Sequence, residues 1–354
     1  MTMTTPPKGT RTARTTPSRR GAVAACVLFA AATAASAEEV RIAGVDYLGD
    51  LPTRVADHQG LFAAAGLDAV VDYAASGRDN LRALRAGETD FALMSLTPLA
   101  IDLVADAQPN EPDDPIILAS LVHSARLKQV VTLEGGPAEP RDLAGARIGL
   151  TRGTSAEFAW ALFAAYHGID AGTVAVVDTP IQQLPDGLSN GDVDAGVLWE
   201  PWTNRLRTDV DNRVRVFAGS NIYTAKWVLV ARRELVDADP GRVRTLLSAY
   251  QAAIDLIQRD AAAIEGVYSD ANGGESDALE RNRASLLYGL NLDWSLLASL
   301  RQQTEWAISA GYGIEKPSTG VLARTDPRPL AALVPSAVGI PFIPVGEAPT
   351  ERSP

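Results

Sequence analysis

Leu143-Ala144-Gly145-Ala146-Arg147-Ile148-Gly149-Leu150-Thr151-Arg152-Gly153-Thr154-Ser155-Ala156-Glu157-Phe158 reads as a short buried strand, a glycine turn and a helix opened by Thr154 or Ser155. Phe158, Leu162 and Tyr166 then recur at helical spacing on one face. Further on, Leu188-Ser189-Asn190-Gly191-Asp192-Val193-Asp194-Ala195-Gly196-Val197-Leu198 ends a helix at Gly191 and starts a strand at once. That strand delivers Trp199-Glu200-Pro201-Trp202 at its C-terminal end, which is where ligands bind in open α/β sheets.

The second piece has an echo about 104 positions earlier, in Leu84-Arg85-Ala86-Gly87-Glu88-Thr89-Asp90-Phe91-Ala92-Leu93-Met94-Ser95. Each copy has a glycine suited to the left-handed position after a helix, an aspartate in the turn and a strand running into a loop. Two copies predict two similar α/β lobes, each offering a loop to a shared cleft.

Outward from this stretch, the 354 residues, 46% hydrophobic, are enough for two domains with real cores. Strands expected at 40–45, 69–73, 91–94 and 116–121 alternate with helices, which predicts a parallel sheet with right-handed crossovers. Strands expected at 130–133, 148–150, 174–177, 195–198 and 214–217 form a second set, and 227–231 looks like the strand on which the chain returns. A helix capped at Asp239-Pro240 carries a stripe from Val243 to Ile257. Helices are also expected over 277–288 and 293–310. Residues 316–354 hold eight prolines and no helical period, so an extended or disordered tail is expected.

The N-terminus reads as an export signal. Lys8, Arg11, Arg14, Arg19 and Arg20 precede the small-residue apolar run 21–34, and Ala35-Ser36-Ala37 fits a cleavage site after Ala37. Ser18-Arg19-Arg20 also allows twin-arginine export, although the general secretory route fits better. The only cysteine, Cys26, lies inside this leader, too close to Arg20 for a lipid-attachment box. Cleavage would leave no cysteine nucleophile or thiolate metal site. It would also take five cations from a chain of net charge −11, leaving 27 basic residues against 43 acidic, or −16. That is a poor balance for binding nucleic acid.

Catalytic constellations are mostly absent. His58, His123 and His167 have no metal-ligand spacing, and no G-x-S-x-G, H-E-x-x-H or phosphate-loop motif occurs. No cofactor is expected. Gly149 and Gly153 flank a turn without dinucleotide-binding spacing, and Glu157 with Glu200 is weak ground for hydrolysis.

The runs 143–155, Gly191–Ala195 and Trp199–Trp202, with Gly60-Leu61-Phe62, Gly66-Leu67 and 84–90, resemble the periplasmic solute-binding proteins of the nitrate/sulfonate/taurine uptake family. That family includes relatives that bind thiamine-pyrimidine precursors. The resemblance covers roughly residues 40–312. It implies a two-lobed, type II periplasmic-binding-protein-like α/β fold, a non-enzymatic monomer that closes on a small ligand and passes it to an ABC permease. It also implies a two-strand hinge near 128–133 and 226–231. Lobe 1 would then be 38–127 with 232–315, and lobe 2 would be 128–231. An enzyme of the pyrimidine-synthase type on this fold would resemble a cysteine-rich, histidine-bearing relative, which the mature chain does not match; a sensor ectodomain would be expected to carry a second membrane segment.

The site residues expected from these motifs are Asp46, Tyr47, Ser76, Gly77, Arg78, Ser95 and Thr97 from lobe 1. From lobe 2 they are Gly153, Thr154, Ser155, Trp199 and Glu200. Helix N-termini at Ser76–Arg78 and Thr154–Ser155 suit a sulfonate, nitrate or carboxylate. Arg78 either pairs an anion or is solvated. Glu200 either meets a cationic group of the ligand or pairs with a neighbouring arginine. Either Trp199 or Trp202 stacks on a flat ring, with buried packing expected for one of them.

Overall fold

The computed structural model describes residues 39–105, 111–211, 213–260, 262–271, 285–313 and 320–342. The leader, its cleavage site and Cys26 lie outside these residues. The chain opens with β1 (Glu39–Val45), α1 (Leu51–His58), α2 (Leu61–Ala64), β2 (Asp68–Ala74), α3 (Gly77–Arg85), β3 (Phe91–Ser95), α4 (Leu96–Ala105) and β4 (Pro115–Ser124). A second group follows: β5 (Lys128–Leu133), β6 (Arg147–Leu150), α5 (Ser155–His167), β7 (Ala175–Asp178), α6 (Leu184–Ser189), β8 (Ala195–Trp199), α7 (Trp202–Asp209) and β9 (Val214–Val216). The chain then passes to β10 (Ala225–Arg232), α8 (Arg233–Ala238), α9 (Pro240–Arg259), α10 (Glu265–Ala271), β11 (Leu287–Asn291), α11 (Trp294–Ser309) and α12 (Arg328–Leu333).

Among the described residues these strands form two sheets, ordered β11-β4-β10-β3-β1-β2 and β7-β6-β8-β5-β9. β1 pairs in parallel with β2 and β3, as β6 does with β7 and β8. In each sheet the next strand is antiparallel, β10 beside β3 and β5 beside β8. The echo in the sequence is therefore a repeat of topology. Gly87 and Gly191 both take the left-handed backbone conformation, at φ of 71° and 74°, that turns each preceding helix into its strand.

Three sequence expectations need correction. Residues 226–231 were expected as a hinge strand in lobe 2, but β10 lies wholly in the first sheet, between β3 and β4. Trp227, Val228, Leu229, Val230 and Ala231 are all fully buried because both faces of this inner strand are covered. The chain crosses between sheets at 125–127 and 217–224, so the second lobe ends before Ala225. The helix expected over 277–288 also fails where it is described: Leu287 and Tyr288 form an edge strand against β4. Residues 277–284 lie outside the described set.

The third correction concerns the tail. Between residues 320 and 342 it is folded onto the first lobe rather than extended. α12 packs on α9 with Leu330 fully buried. Thr325 bridges Ile117, and Arg324 Nη1 meets the buried Asp114 carboxylate at 2.5 Å. Prolines 327 and 329 hid this segment, because its α-helix among the described residues is six residues long and shows no period. Elsewhere the patterns hold. Asp239 Oδ1 accepts the Arg242 N–H at 2.8 Å, and Val243, Leu246, Leu247, Tyr250, Ile254 and Ile257 are buried beneath α9. Asp293 caps α11 in the same way.

Candidate functional site

The C-terminal ends of the parallel strands bring the expected residues to one region, but most of their polar atoms are already used. Ser76 caps α3: its hydroxyl donates to Asp79 Oδ2 at 2.6 Å and accepts the Asp79 N–H at 3.4 Å. Gly77 follows with no room for a side chain, since a Cβ there would lie 2.6 Å from that of Met94. Thr154 caps α5 by accepting the Ala156 N–H at 3.2 Å, and its own hydroxyl donates to the Thr151 carbonyl at 2.7 Å. Ser155, in the first turn, is buried.

Gly153, at φ 70°, gives its N–H to Glu157 Oε2 at 2.8 Å. The same oxygen accepts the Tyr312 hydroxyl at 2.5 Å, and Arg152 Nη1 stands 3.5 Å from Oε1. The expected pair of open anion-binding helix ends is thus occupied: Asp79 and Glu157 place the chain's own carboxylates at α3 and α5, where the helix dipole favours negative charge.

Arg78 reaches across the gap. Its Nη1 donates to the Arg152 carbonyl at 2.6 Å, and its Cδ lies 3.1 Å from where a Cβ on Gly153 would stand. Thr97 donates to Gln303 Oε1 of α11 at 2.6 Å, and Ser95 is buried at the end of β3. Asp46 is largely exposed and pairs with Arg54, whose guanidinium covers the Tyr73 ring. A cavity of about 600 Å³ lies between the lobes, lined by Arg78, Leu81, Asp102, Arg152, Gly153 and Tyr312 among others.

The Glu200 carboxylate is engaged within its own lobe. Its Oε2 accepts the Asn204 N–H at 3.0 Å and its Oε1 lies 3.4 Å from Arg207 Nη1, so the carboxylate caps α7 and neutralises an arginine. Of the two readings left open by the sequence, the ion pair is the one present. The turn after β8 aims the side chain back along its own helix.

An aromatic cluster joins the two sheets. The buried Tyr47 accepts the Trp227 Nε1 hydrogen at 2.9 Å, and its ring lies 5.8 Å from Trp199 and 6.2 Å from Trp227. Burial holds the Tyr47 phenol neutral, well above its usual range. The Trp199 Nε1 atom is buried with no hydrogen-bond partner.

Against these rings stands Lys128, a residue the sequence placed only in a hinge strand. It is 6% exposed, and its Nζ lies 4.6 Å from the Trp227 ring centre and 5.8 Å from that of Trp199. Burial alone lowers its pKa to about 7, with no charged neighbour to offset it. The available signal was a lone lysine opening an apolar strand, which looks like any strand-end lysine until the partner rings are known.

Residues 33–268 match the model of a family described as NMT1-like. A Brucella abortus protein described as a binding protein is 26% identical over 213 residues, 59% of this chain; the chain spans 64% of that relative's length. The taurine-binding periplasmic protein of Escherichia coli is 26% identical over 160 residues, 45% of this chain and 48% of that one. The alkanesulfonate-binding protein SsuA of Xanthomonas axonopodis pv. citri, solved bound to MOPS, shares the fold with a TM-score of 0.69. Its identity is 18%, over 82% of this chain and 98% of that one.

Proposed function

Because the chain belongs to the NMT1-like family and has a periplasmic-binding-protein fold, we propose that it is the extracytoplasmic solute-binding component of an ABC importer. In this reading it is not an enzyme. It is exported, acts as a monomer, and captures a small organic anion of the sulfonate or taurine type for a membrane permease. The observation that carries this reading is the meeting of the two sheets' strand ends. Tyr47 faces Trp199, and Arg78 and Tyr312 reach from one lobe to Arg152 and Glu157 of the other. Contacts of this kind, made only when the lobes are together, let a ligand bias a hinge equilibrium. The relatives' ligands, taurine and MOPS, both carry a sulfonate, which supports the anion class.

Mass spectrometry of protein purified without unfolding should find a bound small solute, and small-angle scattering should show contraction when that solute is returned to stripped protein. A ligand-free protein whose dimensions ignore every sulfonate, carboxylate and amine tried would overturn the reading.

A further inference from the structure

Where the lobes meet, the indole N–H of Trp199 is buried without a partner, and beside it stands the ammonium of Lys128, on a residue 6% exposed. The two residues are direct partners in the β5–β8 ladder, so their side chains leave adjacent strands side by side. Lys128 makes no ion pair or hydrogen bond among the described residues. Its stabilisation comes from the faces of Trp227 and Trp199. A cation–π contact offsets only part of the cost of burying an ammonium. The balance is unfavourable until a negative group arrives. Glu200, the residue after Trp199, is turned away to Asn204 and Arg207.

We propose that Lys128 Nζ and Trp199 Nε1 together seat the acid group of a small organic monoanion, with Tyr47 and Trp227 walling its apolar part. This rests on the solute-binding reading and names the ligand's charge and its anchor. One ammonium with one neutral donor matches a single negative charge, so a sulfonate or carboxylate fits and a dianion leaves a charge uncompensated. Tyr47 and Trp227 belong to the first lobe while Lys128 and Trp199 belong to the second. An anion held here therefore touches both lobes and favours their closure.

Calorimetry on the full mature chain, stripped of ligand, tests this with ethanesulfonate, its uncharged isostere ethyl methyl sulfone, and sulfate. The wild type should bind ethanesulfonate at least 30-fold more tightly than the sulfone or sulfate. Lys128→Met should lose at least 30-fold for ethanesulfonate and nothing for the sulfone. Trp199→Phe should lose about fivefold, and Lys128→Gln repeats the test with a polar side chain if the methionine variant misfolds. Undiminished ethanesulfonate binding by both Lys128 variants overturns the anchor while leaving the solute-binding reading intact. A wild type that ignores ethanesulfonate also overturns the anchor. The mass spectrometry of native ligand then decides the broader reading separately.

Discussion

The Arg147 backbone N–H donates to Asp194 Oδ2 at 2.7 Å, and Arg147 Nη2 holds Oδ1 of the same carboxylate at 2.8 Å. The first lobe repeats the arrangement: the Arg41 N–H meets Asp90 Oδ2 at 2.9 Å and Arg41 Nη2 meets Oδ1 at 3.3 Å. Each aspartate also returns its own N–H to the carbonyl of its arginine. The aspartate of each glycine turn thus ties the incoming strand to the strand beside it, fixing where the strand ends face the cleft. Asp90 is the more buried of the two and has Arg232 at 3.7 Å as a second cation. Asp90→Ala should therefore cost about 2–3 kcal/mol, against about 1 kcal/mol for the more exposed Asp194→Ala. Urea denaturation of the two variants measures the difference.

Lys128 should make stability depend on pH in an uncommon direction. Its folded pKa of about 7 lies below the ordinary lysine value of 10.5, so between these limits the unfolded chain binds the extra proton. Stability then rises with pH from about 7 to 10.5. Lys128→Met should remove that slope and stabilise the unliganded protein at pH 6.5 by something on the order of 3–5 kcal/mol. Tyr47, the titratable group facing it, stays neutral over the same range. Denaturation curves at pH 6.5 and 9.5 for both proteins check the sign. With ligand present, ethanesulfonate affinity should fall as pH rises through 7.

Glu200→Gln should weaken the fold rather than discriminate among ligands by charge. The substitution leaves Arg207 without its carboxylate and exchanges a charged cap for a neutral one, which costs about 1–3 kcal/mol. Equal affinity of the wild type and the variant for taurine and for ethanesulfonate is expected by calorimetry.

Tyr312→Phe removes a hydroxyl that donates to Glu157 across the lobes. The Tyr312 phenol is pushed up by burial and by the Glu157 carboxylate, so it remains a donor at any physiological pH. Losing this half-exposed bond should favour the open form by about 1 kcal/mol, a severalfold faster ligand release. Stopped-flow tryptophan fluorescence reads that rate directly.

Deleting residues 320–354 should destabilise the first lobe. Asp114 is fully buried and loses Arg324 in the deletion, and Leu330 leaves the face of α9 exposed. Breaking a buried pair by removing one partner typically costs about 3–5 kcal/mol. Arg324→Ala alone should show a large share of the loss in a thermal melt, whereas removal of 343–354 serves as the comparison.

From the sequence alone follow the two α/β lobes, because glycine turns, caps and apolar periods are local and each lobe repeats them. The motif loops also fall at strand ends, since each lobe repeats one topology. What only the tertiary structure decided depends on partners distant in sequence. β10 reads as a return strand until its neighbours β3 and β4 are known, and the tail's order rests on a buried ion pair with Asp114 rather than on any period. Glu200 looked like a ligand carboxylate and is satisfied by its own helix, while Lys128, unremarked in its strand, is the buried cation without a counter-charge. The sequence carries residue types, but whether a buried charge is already paired depends on which other groups the fold brings within reach of it.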